Sequence, residues 1–406
     1  MKRLLLGLAC CVLVSTLHAE LPVIEPYHDW PVIQAPADPP RHETLTLQPV
    51  WQLDCGEDAE HLIGKIVSAA PGLDGRVLLV DRQLCQVMVM GIDGEVEETV
   101  GRCGEGPGEF EGCFRVFQLL DGRIGVASGT DSPDILFDSQ GKVILLNMVG
   151  DPAGVWLAGG DPCDMPLTSV REMRYAGGGV LTVTQRIHFS PPIFRTLREI
   201  GLLDPATGER VPVVRHVREA NIKSEDTEYT IFEPLANGRA DVDALGRIAF
   251  APERDQWKLA IREPDGSGVV ISRPFEAVER TEEDFEVVLE ELGDGGYEMA
   301  DDHPMIRRIR WRPDGNLWVE PWGVKPADNA LACFDEIGPA GGSLRRVHLT
   351  VPGARQGDEV LLMEDGRFVL LRGFGEPDEG EDLEDVSPAV MLLELPRNAG
   401  SHDVEG

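Results

Sequence analysis

Positive charge is what this chain has least of. Its 37 Lys and Arg face 71 Asp and Glu, a formal net charge of −34. Only six of the basic residues are lysine, a skew read as coding bias. A chain this acidic will not hold nucleic acid through a phosphate-facing basic patch. Cations and basic partners are its natural counterparts, although acids spread over a solvated surface serve solubility equally well. Long apolar runs are missing once residue 17 is passed, so no later segment reaches membrane-spanning length. There is no Cys-x-x-Cys pair and no Cys/His cluster, which argues against a structural zinc site. The G-x-S-x-G elbow of acyl-transfer enzymes and any paired-carboxylate motif are also absent.

What is present begins with an export signal. Lys2 and Arg3, an apolar stretch over 4–17 and the end Leu17-His18-Ala19 read as a secretory signal peptide over 1–19. That stretch is too short to span a bilayer, so a secreted or periplasmic protein is expected. Removing the leader takes the net charge to −36 and leaves Cys55, Cys85, Cys103, Cys113, Cys163 and Cys333. An even count in an exported chain permits disulfides.

A repeat dominates the rest. "LDGRVLLVD" at 73–81 returns as "LDGRIGVAS", "AGGGVLTVT", "ALGRIAFAP", "PDGNLWVEP" and "EDGRFVLLR". The second turn positions fall at 75, 122, 178, 246, 315 and 366. Each copy supplies the positive-φ residues of a tight turn, followed by an alternating apolar strand. An apolar stretch precedes each turn, and a second strand pair follows several copies, as in "QVMVMGIDGEVEETV". Each unit therefore reads as four antiparallel strands, A to D. Six units with little helix predict an all-β, six-bladed β-propeller, and an apolar content of 42% supplies its core.

Closure and insertions can be placed as well. The sixth unit stops after three strands, so residues 43–54 at the other end are expected to complete the last blade. The propeller would then occupy 43–395, with a Pro-rich linker over 20–42 and a tail over 396–406. One segment breaks the pattern. Thr281, three acids and the spacing of Phe285, Val288, Leu289 and Leu292 predict a capped amphipathic helix near 281–293.

With these repeats, the loop "GEGPGEF" and the run "PMIRRIRWRPDGNLWVEPW", the chain resembles exported six-bladed propellers related to NHL repeats. The resemblance covers roughly residues 45–395. It implies the fold, and it leaves activity open.

In a four-stranded blade, the A–B and C–D turns share one face of the disc. The B–C loops and the D–A links between blades share the other. The long loops, 127–134, 147–168, 184–198, 215–240, 273–304, 319–330 and 371–389, are all B–C or D–A. Binding residues concentrate on such loops, so this is the expected working face. "GEGPGEF" lies on it as a D–A link. It lacks the Lys-Ser/Thr of a phosphate cradle and the oxygen ligands of a calcium loop, which leaves a structural corner with Phe110 tucked between blades. The ligand-face candidates are Asp131, Asp134, His188, Asp255, Trp257, Glu320, Trp322 and Asp328. His188 reads more readily as an ordinary loop histidine than as a ligand, and the tryptophans can pack between blades, the favoured reading for Trp318 in its strand alternation. A non-catalytic scaffold or binding propeller is the leading reading. Its ligand would be a protein, a peptide or a small molecule, and a monomer is expected. The alternative, implied by propeller lactonases, is a metal-assisted hydrolase or lyase with a cation such as Ca2+ at the channel mouth. Cys103 and Cys113 flank the corner and form one candidate disulfide. Cys55 and Cys85 form a second.

Overall fold

A computed structural model describes residues 23–396, apart from 57–60, 105, 111, 129–141, 158–166, 191–192, 222–237, 283, 286–300, 356 and 375–387. The signal peptide, Asp131, Asp134, Cys163 and most of the inserted helix and tail lie outside the described residues. The sixfold turn register is borne out. Glycines 75, 122, 178, 246, 315 and 366 all take φ between 81 and 91°, a region that favours glycine. Each closes the turn between the first and second strand of a blade.

Blade one is β4 (Ile66–Pro71), β5 (Val77–Asp81), β6 (Gln86–Met90) and β7 (Val96–Val100). Blade two is β8 (Cys113–Gln118), β9 (Ile124–Ser128), β10 (Lys142–Leu146) and β11 (Pro152–Leu157). Blade three is β12 (Leu167–Ala176), β13 (Gly179–Ser190), β14 (Ile193–Leu203) and β15 (Arg210–Asn221). Blade four is β16 (Ala240–Val242), β17 (Ile248–Phe250), β18 (Lys258–Arg262) and β19 (Gly268–Ser272). Blade five is β20 (Ile306–Trp311), β21 (Leu317–Pro321), β22 (Ala330–Ile337) and β23 (Ser343–Thr350). Blade six is β24 (Glu359–Leu362), β25 (Phe368–Arg372), β26 (Ala389–Glu394) and the N-terminal β3 (Gln48–Asp54). The core is not one mass but six apolar seams, each between neighbouring blades.

Closure by the N-terminus holds, with one refinement. The stretch read as a single strand splits at Leu47. β3 pairs antiparallel with β26 and completes blade six. β2 (His42–Thr46) instead runs parallel to β23 as a fifth strand of blade five. The Pro-rich segment is not a free linker. From residue 23 onward it is a strap along the outer edges of successive blades. Ile24 exchanges backbone hydrogen bonds with Arg215 of blade three. Tyr27 packs edge-on to Phe250 of blade four, and β1 (Val32–Gln34) runs parallel to β19. Edge strands carry unpaired N–H and C=O groups, and prolines between short strands let one chain cap three edges in turn.

One loop expectation changes. The 184–198 segment is not a loop: β13 and β14 extend through it as a long hairpin, and His188 pairs with Arg195 in strand register. Strand pairing satisfies the backbone there, which an extended loop would leave to water. Of the predicted helix, the described residues contain its start, with Glu282, Asp284 and Phe285 helical. Thr281 caps it: its hydroxyl accepts the Asp284 N–H (3.2 Å), while the Asp284 carboxylate accepts the Thr281 N–H (2.7 Å).

The "GEGPGEF" loop is the structural corner it was read to be. The Phe110 N–H donates to Arg102 O and the Gly104 N–H to Phe110 O, which closes the loop. The Glu109 carboxylate accepts the Gly106 N–H at 2.8 Å and pairs with Arg102. These bonds hold it well below the usual glutamate range. Phe110 is fully buried in the seam between blades one and two, against Gly101, where a side chain would collide with its ring.

The disulfide pairing needs correcting. The bridge is Cys85–Cys103, with a Cα–Cα separation of 4.9 Å, in place of Cys103–Cys113 and Cys55–Cys85. The corner does bring its ends together, but the residue opposite Cys103 is Phe110. Cys113 lies three positions on, buried in β8, where its thiol donates to Asp81 O at 3.3 Å. Burial pushes that thiol up to about 12. Cys55 sits against the seam between blades six and one, whereas Cys85 lies in the seam between one and two. The bridge ties the B–C turn of blade one to the start of its D–A link across 18 residues. A loop of that length is worth about 3 kcal/mol in the chain-entropy estimate. Cys103→Ser is therefore expected to lower unfolding stability by about that amount in a urea titration. Unreduced peptide maps should show 85 joined to 103. Recovering 103 joined to 113 would reject the assignment.

Candidate functional site

The A strands, β4, β8, β12, β16, β20 and β24, are the first of each blade and ring the central axis. Between them lies a cavity of about 220 Å³ whose lining includes Arg115, Arg174, Arg307, Arg308, Arg310 and Glu359. In a chain with so strong an acidic excess, this is a local reversal of sign. The strands themselves aim these side chains. β4, β8 and β20 each carry a register shift at the same place, between Ile66 and Ser68, Cys113 and Arg115, and Ile306 and Arg308. A bulge sets two residues against one and re-aims the side chains beside it. Ser68, Arg115 and Arg308, each just past its bulge, all line the cavity.

Arg308 donates through Nε to Glu320 at 2.8 Å and through Nη1 to Val360 O at 3.1 Å. Arg307 donates to the other Glu320 oxygen at 3.1 Å. Arg174 pairs with Glu364 at 2.6 Å. Behind them Asp241 accepts the Trp311 N–H at 2.7 Å, which ties blade four to blade five. Burial pushes its carboxyl up to about 6, against the pull of Arg310 and Arg174.

The lining extends along the inner strands, from Ser68 and Glu359 near their starts to Arg174, Arg310 and Leu362 near their ends. On the face of the B–C loops and D–A links, aromatic rings lie beside Arg307. The Trp322 ring stacks on His303 at 4.3 Å and 22°, and the Arg307 guanidinium lies over Trp322 at 5.0 Å. His303 faces Asp284 at 3.2 Å. Burial depresses the imidazole more than Asp284 raises it, so its pKa is below the ordinary value.

Of the sequence candidates, the structure brings Glu320 and Trp322 together through Arg307. Glu320 is a buried strand residue committed to two arginines. Trp257 is buried in the seam between blades four and five, with Arg273 stacked on it at 4.1 Å. Trp318 packs between blades five and six on Phe334 at 5.2 Å. Asp255 and Asp328 are exposed on separate B–C loops. Among the described residues, no group of three or more His, Cys, Asp or Glu could hold a metal ion, and no helix is long and apolar enough to cross a membrane.

The arginines were missed because they sit in strands rather than loops. Yet a signal exists. Seven residues before each turn glycine stand Ser68, Arg115, Arg171, Arg239, Arg308 and Glu359. Of these, Ser68, Arg115, Arg308 and Glu359 line the cavity. Arg239 departs from the set by turning to Glu253 O.

No protein-family model matches the chain, and no curated protein does. Among solved structures it is similar to a Bacteroides fragilis protein described as exported, at 11% identity, over 90% of this chain and 100% of that one, with a TM-score of 0.48. It is similar to a DUF4221 family member from Bacteroides vulgatus at 9% identity, over 86% and 98%, with a TM-score of 0.48. A third is virginiamycin B lyase from Staphylococcus aureus, at 10% identity, over 86% and 99%, with a TM-score of 0.42. Such distant likenesses carry no inference about chemistry. The six-bladed fold is read from the strand order itself.

Proposed function

We propose that this chain is an exported binding propeller, without chemistry of its own, that takes a small ligand into the long-loop mouth of its central channel. The observation that supports this is the cavity on the axis, where inner strands of separate blades converge their polar side chains. Rigid strands hold such a site more closely than loops can. Most of the converging groups are guanidiniums. These stay charged at physiological pH and offer donors only, so they bind and orient, while proton transfer needs groups that titrate near neutrality. A cavity of about 220 Å³ suits a metabolite-sized ligand rather than a folded partner. The stacked Trp322 and His303 provide a flat apolar wall at the rim. Export rests on the leader segment.

Native mass spectrometry after incubation with a low-molecular-weight cell extract tests this. One stoichiometric adduct is expected on the wild-type chain. Leu361 lines the cavity and is partly exposed, so Leu361→Trp should fill it and abolish the adduct while the protein still melts cooperatively. No adduct on wild type, or one undiminished in folded Leu361→Trp, overturns the reading.

A further inference from the structure

We infer that the ligand of this channel is a small polyanion, a molecule bearing two or more carboxylate, phosphate or sulfate groups. The inference rests on the channel-binding reading and names its chemical class. Five guanidiniums, from β8, β12 and β20, face one cavity of about 220 Å³. Like charges drawn together away from bulk water repel more strongly than they would on the surface. The fold tolerates this by answering four of the arginines with carboxylates outside the ring. Glu320 holds Arg307 and Arg308, Glu364 holds Arg174, and Asp241 lies behind Arg310.

Those partners position the guanidiniums without filling the space between them. A guanidinium has five N–H donors in a planar fork. Arg308 commits Nε and Nη1 to the protein, and the described residues take no bond from its Nη2. The wall opposite Arg308 includes Arg115, whose Nη1 donates to its neighbour's carbonyl, Phe114 O. Arg310 does the same with Ile309 O. A backbone carbonyl of the adjoining residue fixes the guanidinium plane. Carboxylate, phosphate and sulfate groups match that fork bidentately, and arginines on different blades would grip separate anionic groups of one molecule. Glu359, the exposed carboxylate of the lining, opposes this attraction and sets an upper limit on it.

That opposition makes a test with two signs. Isothermal titration with citrate and with pyrophosphate, each at 20 and 300 mM salt, is the measurement, with glucose as the neutral control. Citrate or pyrophosphate should bind, and raised salt should weaken binding severalfold. Arg115→Gln should weaken it by about tenfold, the loss of one charge-assisted contact. Glu359→Gln should tighten it by about threefold. Glu359 is exposed at a strand start, so its variant and the salt series serve even if Arg115→Gln misfolds. Glucose binding as tightly as the anions, or anion binding unmoved by salt and by Glu359→Gln, overturns the inference, as does binding of neither anion. In each case, an extract adduct still lost in Leu361→Trp would leave the channel reading standing. Loss of both sinks both.

Discussion

A chain lacking residues 20–56 is expected to aggregate rather than to melt as a monomer. The strap and closing strand insert into four of the six seams. Tyr27 joins the seam between blades three and four, and Ala35 that between four and five. Leu45 and Leu47 join the seam between five and six, and Trp51 that between six and one. Burying a large apolar side chain is worth about 1.5–3 kcal/mol. Leu45, Leu47, Trp51 and Tyr27 together approach the whole net stability of an ordinary domain, about 5–15 kcal/mol. Deletion also bares the outer edges of blades four, five and six, and long unpaired edges template association. Size-exclusion chromatography with a thermal melt decides the matter. A monomeric 57–406 fragment melting at the full-length temperature would falsify the structural role of the strap. A gentler probe is Leu47→Ala. Leu47 is fully buried and donates its N–H to Thr350 O at 2.8 Å, and its truncation should cost about 2–5 kcal/mol in a urea titration.

Asp335→Ala is expected to cost about 3–5 kcal/mol, the range for breaking a buried ion pair from one side. Asp335 is 0% exposed on β22. One oxygen takes Arg346 Nε at 2.7 Å, and the other lies 2.5 Å from Arg273 Nη2. Both arginines are buried. Arg346 reaches on to Asp38 of the strap at 2.8 Å, while Arg273 stacks on Trp257 of blade four. This one carboxylate therefore joins blade four, blade five and the N-terminal strap. Removing it leaves the Arg273 guanidinium desolvated without its carboxylate and Arg346 with the exposed Asp38 in its place. A double mutant that also replaces Arg273 with Met should recover part of the loss, because the orphaned charge goes with it. Equal stability of Asp335→Ala and wild type in urea would show that the network is replaceable.

The propeller was legible because its signals are local. A positive-φ turn glycine and an alternating strand are decided within nine residues, and six of them at intervals leave few architectures. The incomplete last unit made closure by residues 43–54 a matter of arithmetic. The Thr281 cap and the corner at Phe110 were legible for the same reason: each is made by side chains and backbone a few positions apart.

What lay beyond the sequence was anything set by which strands become neighbours. Pairing of β1 and β2 with blades four and five joins residues more than 230 positions apart, and parallel pairing leaves no turn to announce it. Cys85 and Cys103 meet because a B–C turn and a D–A link meet on one face of the disc, a contact that spacing along the chain does not encode. Trp257 went to a seam because a tryptophan gains more from burial between two sheets than from a wet rim. The arginine channel is the largest such case. Composition spoke for an acidic surface, since net charge sums over the whole chain. Only the radial arrangement of the blades, which turns one strand of each toward a common axis, gathers arginines from 115 to 310 around one cavity.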